Sequence, residues 1–188
     1  MESQIRNQKA TSEFARIVLE ECGENVNVCF QCKKCTCGCP VSYLMDYTPT
    51  QLVHAIRLGM EELVLNSKTI WLCASCETCS SRCPQELDLP KVMDVARIMV
   101  AKRGIKPGVP DIASFYKTAV SNIGLFGRMY EVGLIVSLKF KTKKFMKDTV
   151  VGMKMFLHRK LKLIPNISGA STSRGIFSRL RKLERGKK

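Results

Sequence analysis

The sequence predicts an all-α fold. Apolar residues recur at helical spacing, helix starts and stops are written in recognisable cap residues, and no segment alternates apolar and polar residues over a useful length. A tight cysteine run closed by a proline and followed by a helix occurs twice, so the chain also contains an internal repeat.

A first helix is predicted over about Ser12 to Glu21, where Phe14, Ile17 and Val18 give a partial helical period and Ser12 can cap the start. The first cysteine run, Cys29 to Cys39, ends at Pro40. Thr48 then reads as an N-cap, Pro49 as the first helical residue and Gln51 as the partner of a capping box. Leu52, Val53, Ile56 and Leu58 supply the apolar side of this helix, and Gly59 stops it. A short helix near Met60 to Leu65 and another leading into Trp71 fill the space before Cys73. The second cysteine run, Cys73 to Cys83, ends at Pro84. A strong helix starts at Asp88 or Leu89, carries Pro90 in its first turn and stops at Gly104. Pro107-Gly108-Val109-Pro110 is a breaker and the best linker. Beyond it, Ile112, Phe115, Tyr116, Ala119 and Ile123 mark an amphipathic helix, and two more are expected over roughly Met129 to Phe140 and Lys144 to Leu161. From Pro165 onward Ser, Gly, Lys and Arg dominate, and little independent structure is expected.

The chemistry lies in the repeat. One copy reads Cys29-x2-Cys32-x2-Cys35-x3-Cys39-Pro40 and the other Cys73-x2-Cys76-x2-Cys79-x3-Cys83-Pro84. This is the spacing of two-cluster bacterial ferredoxins, in which three thiolates reach one cubane and the fourth reaches the other. The metal-ligand assignment is therefore Cys29, Cys32, Cys35 and Cys83 for one [4Fe–4S] cluster, and Cys73, Cys76, Cys79 and Cys39 for the second. Zinc takes four ligands, usually from two separated C-x2-C pairs, and gives no reason for the third and fourth cysteines of each run. The C-x3-C-x2-C run of radical S-adenosylmethionine enzymes is absent. With all eight cysteines used as ligands, the reading is electron transfer, with no catalytic residue in this chain.

Cys37 reads as a small residue shaping the loop, and Cys22 as a packed thiol at a helix end. Trp71, the one tryptophan, is expected to be a core aromatic that shields a cluster. His54 lies on a helix away from both runs and is read as a surface or packing residue; His158 is isolated.

The charge is uneven. Of the net +15, residues 1–138 carry +1 and residues 139–188 carry +14. A basic segment can meet nucleic acid, an anionic membrane or an acidic protein. Single-strand binders interleave aromatics with positive charge, and past residue 160 the aromatic residues reduce to Phe177, so a nucleic-acid role is a minor alternative. The polar start, without a signal-peptide core, and the cysteine usage lead to the expectation of a cytoplasmic protein. The longest apolar-leaning stretch, Leu125 to Leu138, is broken by Arg128 and Glu131 and falls short of the roughly 20 residues of a membrane span.

The long segment between Cys39 and Cys73, with its capping box, favours a helical two-cluster domain over a small β-rich ferredoxin. Thr48 to Gly59, then Trp71-Leu72-Cys73-Ala74-Ser75-Cys76-Glu77-Thr78-Cys79, then Cys83-Pro84 and the helix to Gly104 resemble the C subunit of heterodisulfide reductase from methanogenic archaea. The likeness covers about residues 20 to 105. It implies a helical ferredoxin-like domain over 1–106, followed here by a helical extension over 107–164 and a basic, flexible tail over 165–188.

The resemblance implies an electron relay between a flavin- and iron–sulfur-containing subunit and a catalytic subunit. The latter reduces the coenzyme M–coenzyme B heterodisulfide in methanogenesis, with a hydrogenase or formate dehydrogenase module as a further partner. The same helical domain resembles the C-terminal half of the iron–sulfur subunits of succinate dehydrogenase and fumarate reductase. The plant-type C-x4-C-x2-C run of those subunits is absent here, and so are the paired Cys-Cys motifs of the catalytic heterodisulfide-reducing subunit. A related oxidoreductase with another acceptor is the alternative.

Overall fold

The computed structural model describes residues 12–142 and 169–186, and all regular structure among them is helical. The chain divides into two units, Met1–Pro110 and Asp111–Lys188.

In the first unit, α1 (Glu13–Cys22) is capped by Ser12, whose hydroxyl accepts from the Ala15 N–H at 3.1 Å. The same hydroxyl donates to the Ile56 carbonyl at 2.9 Å, which ties the start of α1 to the helix that follows the first cysteine run. That run contains the single-turn helix α2 (Lys34–Cys37). Helix α3 (Pro49–Arg57) has the expected capping box: Thr48 Oγ1 accepts from Gln51 N–H, and Gln51 Oε1 accepts from Thr48 N–H at 2.9 Å. Two short helices, α4 (Glu61–Asn66) and α5 (Thr69–Leu72), lead into the second run, which contains α6 (Thr78–Ser81). Helix α7 (Leu89–Arg103) is capped by Asp88 and stops at Gly104.

The repeat extends from the cysteines into the packing. In both α3 and α7, the fourth, fifth, seventh and eighth residues after the cap are buried: Leu52, Val53, Ala55 and Ile56 in one, Val92, Met93, Val95 and Ala96 in the other. Each motif helix packs on the long helix that follows it, α2 on α3 and α6 on α7, and α2 also meets α6. Helices α1, α4 and α5 pack on α7 and close the core with Val18, Val64, Leu65 and Ile70. Each such side chain contributes about 1.5–3 kcal/mol when fully buried.

The second unit contains α9 (Glu131–Thr142), α10 (Ala170–Gly186) and nearly all of α8 (Pro110–Phe126). Asn122 closes the turn between α8 and α9, accepting from Tyr130 N–H at 2.6 Å and donating to the Tyr130 carbonyl at 3.1 Å. Within the segment 165–188, expected to be a flexible tail, the described residues Ala170–Gly186 form helix α10. Ile176, Leu180 and Leu183 recur at i, i+4 and i+7, a spacing outweighed in the compositional reading by the many Ser, Arg and Lys residues. Within the unit α10 is held by Ser173 Oγ donating to the Ile123 carbonyl at 3.1 Å, and by Phe177 lying over Gly124. The helix expected over Lys144 to Leu161 lies outside the described residues. Among the described residues no helix is long and apolar enough to cross a membrane.

Candidate metal centres

The two cysteine runs share one backbone trace. Gln31 and Lys33 have φ of 55° and 62°, and their counterparts Ser75 and Glu77 have φ of 51° and 58°. These left-handed residues bracket Cys32 and Cys76, the middle cysteine of each three-cysteine loop. None is glycine, and a side chain in this region costs on the order of 1–2 kcal/mol. Such strain persists where surrounding structure over-determines it; here it turns the loop so that its three cysteines line one pocket. Cys32 and Cys76 are exposed, and the other six run cysteines are partly buried.

The eight sulfurs divide into two groups. Cys29, Cys32, Cys35 and Cys83 line one pocket, together with Val53 and Leu87. Cys39, Cys73, Cys76 and Cys79 line the other, together with Met45 and Met93. Each pocket thus draws three cysteines from one motif and the last cysteine of the other. Among the described residues no three His, Cys, Asp or Glu side chains converge on a single ion; the sulfurs stand around a space. Four thiols around an apolar pocket are the donor chemistry of a cubane cluster.

Hydroxyl groups stitch each loop to the next helix. Thr36, just after Cys35, shares a 2.8 Å hydrogen bond with Thr50 in the first turn of α3, and Thr50 Oγ1 lies 3.3 Å from Cys35 Sγ. Ser80, just after Cys79, donates to Asp88, the cap of α7, at 3.4 Å. Thr50 lines the first pocket, Pro49 and Pro90 line the second, and Leu89 lines both. The positive N-terminal ends of α3 and α7 therefore lie beside the sulfurs, where they offset negative charge.

The thiols differ in acidity. Burial pushes Cys29 up, and charge on Cys35 and on Cys83 of the other motif adds to the effect. Burial pushes Cys79 up to about 11. A hydrogen bond with the Thr78 hydroxyl, 3.4 Å away, and the Thr78 N–H hold exposed Cys76 below the ordinary thiol value. Cluster ligation requires the thiolate, so the buried thiols must lose protons as metal enters.

Asp46 links the halves. Its carboxylate accepts from Lys68 N–H at 2.7 Å, Thr69 N–H at 3.0 Å and Thr69 Oγ1 at 2.7 Å, which fixes the start of α5 just before Cys73. Burial acts to raise its pKa, but these bonds and the Tyr47 N–H hold it below the ordinary carboxylate value.

The chain matches the family described as "4Fe-4S dicluster domain" over residues 28–88, a span that takes in every cysteine of both runs. This domain holds two [4Fe–4S] clusters. Over its cluster domain the chain resembles the C subunits of heterodisulfide reductases. It is 30% identical over 115 residues to the C subunit of the H(2):CoB-CoM heterodisulfide,ferredoxin reductase of Methanothermobacter marburgensis, covering 61% of this chain and 62% of that protein. It is 32% identical over 80 residues to the iron-sulfur C subunit of the CoB-CoM heterodisulfide reductase of Methanopyrus kandleri, covering 43% and 42%. It is 37% identical over 78 residues to the C subunit of the Ferredoxin:CoB-CoM heterodisulfide reductase of Methanosarcina acetivorans, covering 42% and 31%. The chain thus spans less than two thirds of these relatives' length.

Around the dicluster domain the other cysteines, the tryptophan and the histidine of α3 separate. Cys22 is half-buried and donates to the Val18 carbonyl at 3.1 Å; Cys37 is exposed; neither lines a cysteine pocket. Trp71 is buried in the core as expected, but it lines neither pocket. Shielding falls instead to Val53, Leu87, Met45 and Met93, because the indole sits behind Cys73 in sequence on the core-facing turn of α5. His54 is exposed on α3 and lines a groove beside Lys33, Thr36 and Gln51, outside both cysteine pockets.

Two residues that the sequence does not mark as functional also reach the cysteine loops. Arg57 donates to the Cys29 carbonyl at 3.2 Å, and Arg97 donates to the Cys73 carbonyl at 2.6 Å. Aligning the two helices on their caps, Thr48 and Asp88, puts both arginines at the same position, a signal available in the sequence.

Proposed function

We propose that this chain is the electron-relay subunit of a CoB–CoM heterodisulfide reductase complex. Cys29, Cys32, Cys35 and Cys83 hold one cluster, and Cys73, Cys76, Cys79 and Cys39 hold the other. The carrying observation is the division of eight sulfurs into two complete sets of four. Four cysteines per cubane leave no iron open to a substrate. When bound, the clusters supply one-electron transfer.

The chain's own residues position and insulate the sites. The left-handed loop residues aim the thiols, and apolar side chains exclude water from the inner walls. Leu89 stands in the wall of both pockets and keeps the two sites apart at short range. Electrons enter from a flavin- and iron–sulfur-containing subunit, itself served by a hydrogenase or formate dehydrogenase module. They leave to a catalytic subunit that reduces the heterodisulfide, all in the cytoplasm. The names of the relatives support this reading. The basic residues 139–188 dock on an acidic partner surface.

Anaerobic purification of the tagged chain tests the reading through the chains that accompany it. A flavin-bearing subunit and a subunit with paired-cysteine motifs are expected, with heterodisulfide reduction by the complex and none by the isolated chain. Turnover by the isolated chain, or recovery with an unrelated oxidoreductase, overturns it. Truncation after Pro165 is expected to leave both clusters in place and weaken assembly, with the loss growing as salt screens the basic segment.

A further inference from the structure

The pair Arg57 and Arg97 is unexplained by ligation. Each is the ninth residue after its helix cap, Thr48 for α3 and Asp88 for α7. Each donates from its guanidinium to the backbone carbonyl of the first cysteine of the motif that precedes its helix. Helical packing alone does not ask for this. The side chains seven and eight places after the cap are buried on the core face, and the ninth reaches back to the first cysteine's carbonyl. Arginine suits the task because its charge persists at any relevant pH and its planar fork reaches more than one carbonyl.

The two sites differ in how that charge is balanced. Arg97 is held on several sides: Nε donates to the Ile70 carbonyl at 2.5 Å, one terminal nitrogen to the Cys73 carbonyl, and the other to Asp94 at 2.9 Å. Its side chain is 11% exposed. Arg57 donates to the Cys29 carbonyl, and no ion pair with a carboxylate is formed by it among the described residues. Its counterpart to Asp94 is His54, three residues earlier in α3 as Asp94 is three residues earlier in α7. Among the described residues, one cysteine loop is therefore backed by a cation outside any ion pair, the other by an ion pair. A nearby positive charge favours the more negative, reduced form of a cluster and raises its potential; burial, hydrogen bonding and net charge are the levers that spread such potentials widely.

We propose that Arg57 and Arg97 are matched positioning residues, one per cluster, and that the missing carboxylate at position 54 makes the two clusters unequal in potential. Arg57 acts on the cluster of the Cys29 loop chiefly through its charge. Arg97, neutralised by Asp94, acts on that of the Cys73 loop chiefly by anchoring the loop. The inference rests on the two-cluster ligand sets proposed above, so iron and sulfide content of the full chain is measured first; content for a single cluster would defeat that reading and leave this one without its premise.

With both clusters loaded, anaerobic redox titration followed by paramagnetic resonance reads the two potentials in wild type, Arg57→Gln, Arg57→Lys, Arg97→Gln and His54→Asp. Arg57→Gln is expected to lower one potential, shifting the reduction equilibrium about tenfold, or 59 mV for one electron. Arg57→Lys, which keeps the charge, is expected to restore most of it, and His54→Asp to move the same signal in the same direction as Arg57→Gln. Arg97→Gln is expected to change the other cluster's signal shape or reduce its occupancy, with a smaller shift in potential. Both glutamine variants acting on the same signal, unchanged signals in loaded protein, or failure of Arg57→Lys to recover the potential would overturn the proposal. If Arg97→Gln does not fold, the Arg57 and His54 variants still decide it.

Discussion

The half of the cluster domain built on Cys29 to Arg57 and the half built on Cys73 to Arg103 follow one plan with different materials. Their cysteine spacing, left-handed residues, helix caps and buried positions coincide. Their supporting polar groups do not. The first loop is tied to its helix by paired threonine hydroxyls, Thr36 and Thr50, and the second by Ser80 against the carboxylate of Asp88. Among the described residues Arg57 has a single carbonyl contact, whereas Arg97 joins two carbonyls and a carboxylate. Helix α3 stops at the turn of Gly59, while α7 runs on through Met99 and Val100 to support α1 and α5. The features that place sulfur are duplicated; those that set charge around it have diverged. The second half carries more of the core, and among the described residues the first half leaves its arginine outside any ion pair.

The strongest way to break this comparison is to exchange the crossing cysteines. Cys83→Ser is expected to remove or convert the cluster held by the Cys29 loop, and Cys39→Ser that of the Cys73 loop, each sparing the other. Iron content should fall from about eight toward about four per chain, and paramagnetic resonance should show which signal survives. If Cys83→Ser instead damages the cluster of the Cys73 loop, the pairing across motifs is wrong.

Packing offers the next test. Ile56 and Ala96 occupy the same place in the repeat, and both are buried. Ile56→Ala should cost about 2–5 kcal/mol through the cavity it leaves. Ala96→Ile should cost about 1–3 kcal/mol through overpacking of the core around this buried residue. Thermal melting of cluster-loaded protein compares them. Equal tolerance at both positions would mean that the core does not distinguish the halves.

The caps should separate by less. Asp88 accepts from Lys91 N–H and Ser80 Oγ and pairs with Lys91 at 2.9 Å, so Asp88→Ala should cost about 1–2 kcal/mol. Thr48→Ala, which breaks one capping box, should cost about 0.5–1 kcal/mol. A larger loss at Thr48 in chemical melts would reverse the assignment of the second half as the more deeply anchored.

The smallest effect is expected at the seam. Asp46→Asn weakens the bonds to Lys68 and Thr69 and should cost about 1 kcal/mol, since the carboxylate is partly exposed. Its pKa is depressed in the folded chain. The stabilisation is therefore fully present above the unfolded carboxylate value of about 3.9 and lost as pH falls through the lower folded value. The gap in melting temperature between wild type and variant should stay constant from pH 7 to pH 5. A gap that changes across that interval would mean that another group is titrating.

Much of this frame is readable from residues alone, because it rests on local chemistry. The Thr48, Pro49 and Gln51 box fixes α3, Asp88 with Pro90 fixes α7, and the cysteine spacing predicts the two mixed pockets. What escapes is carried by structure without a sequence emblem. Gln31, Lys33, Ser75 and Glu77 adopt a backbone usually advertised by glycine. Arg57 and Arg97 look like surface residues of amphipathic helices until the fold returns them to the preceding loop. Trp71 shows the opposite error: nearness to Cys73 in sequence does not make it part of a pocket wall, since a single turn of α5 carries it to the core. In α10, average composition concealed a spacing of three apolar side chains.

The mixed membership of the pockets has a topological consequence. A pocket filled from both motifs closes a loop of chain, as a covalent cross-link does, and the two loops closed here are nested: the Cys39 to Cys73 segment lies wholly within that bounded by Cys29 and Cys83. Helices α3, α4 and α5 sit inside both rings. Such rings restrict the unfolded chain more than the folded one, so with the ligand sets proposed above, iron in either site would stabilise helices that touch no iron. With those ligand sets neither motif would serve as a single-cluster module on its own: cutting the chain between the runs would open both rings at once.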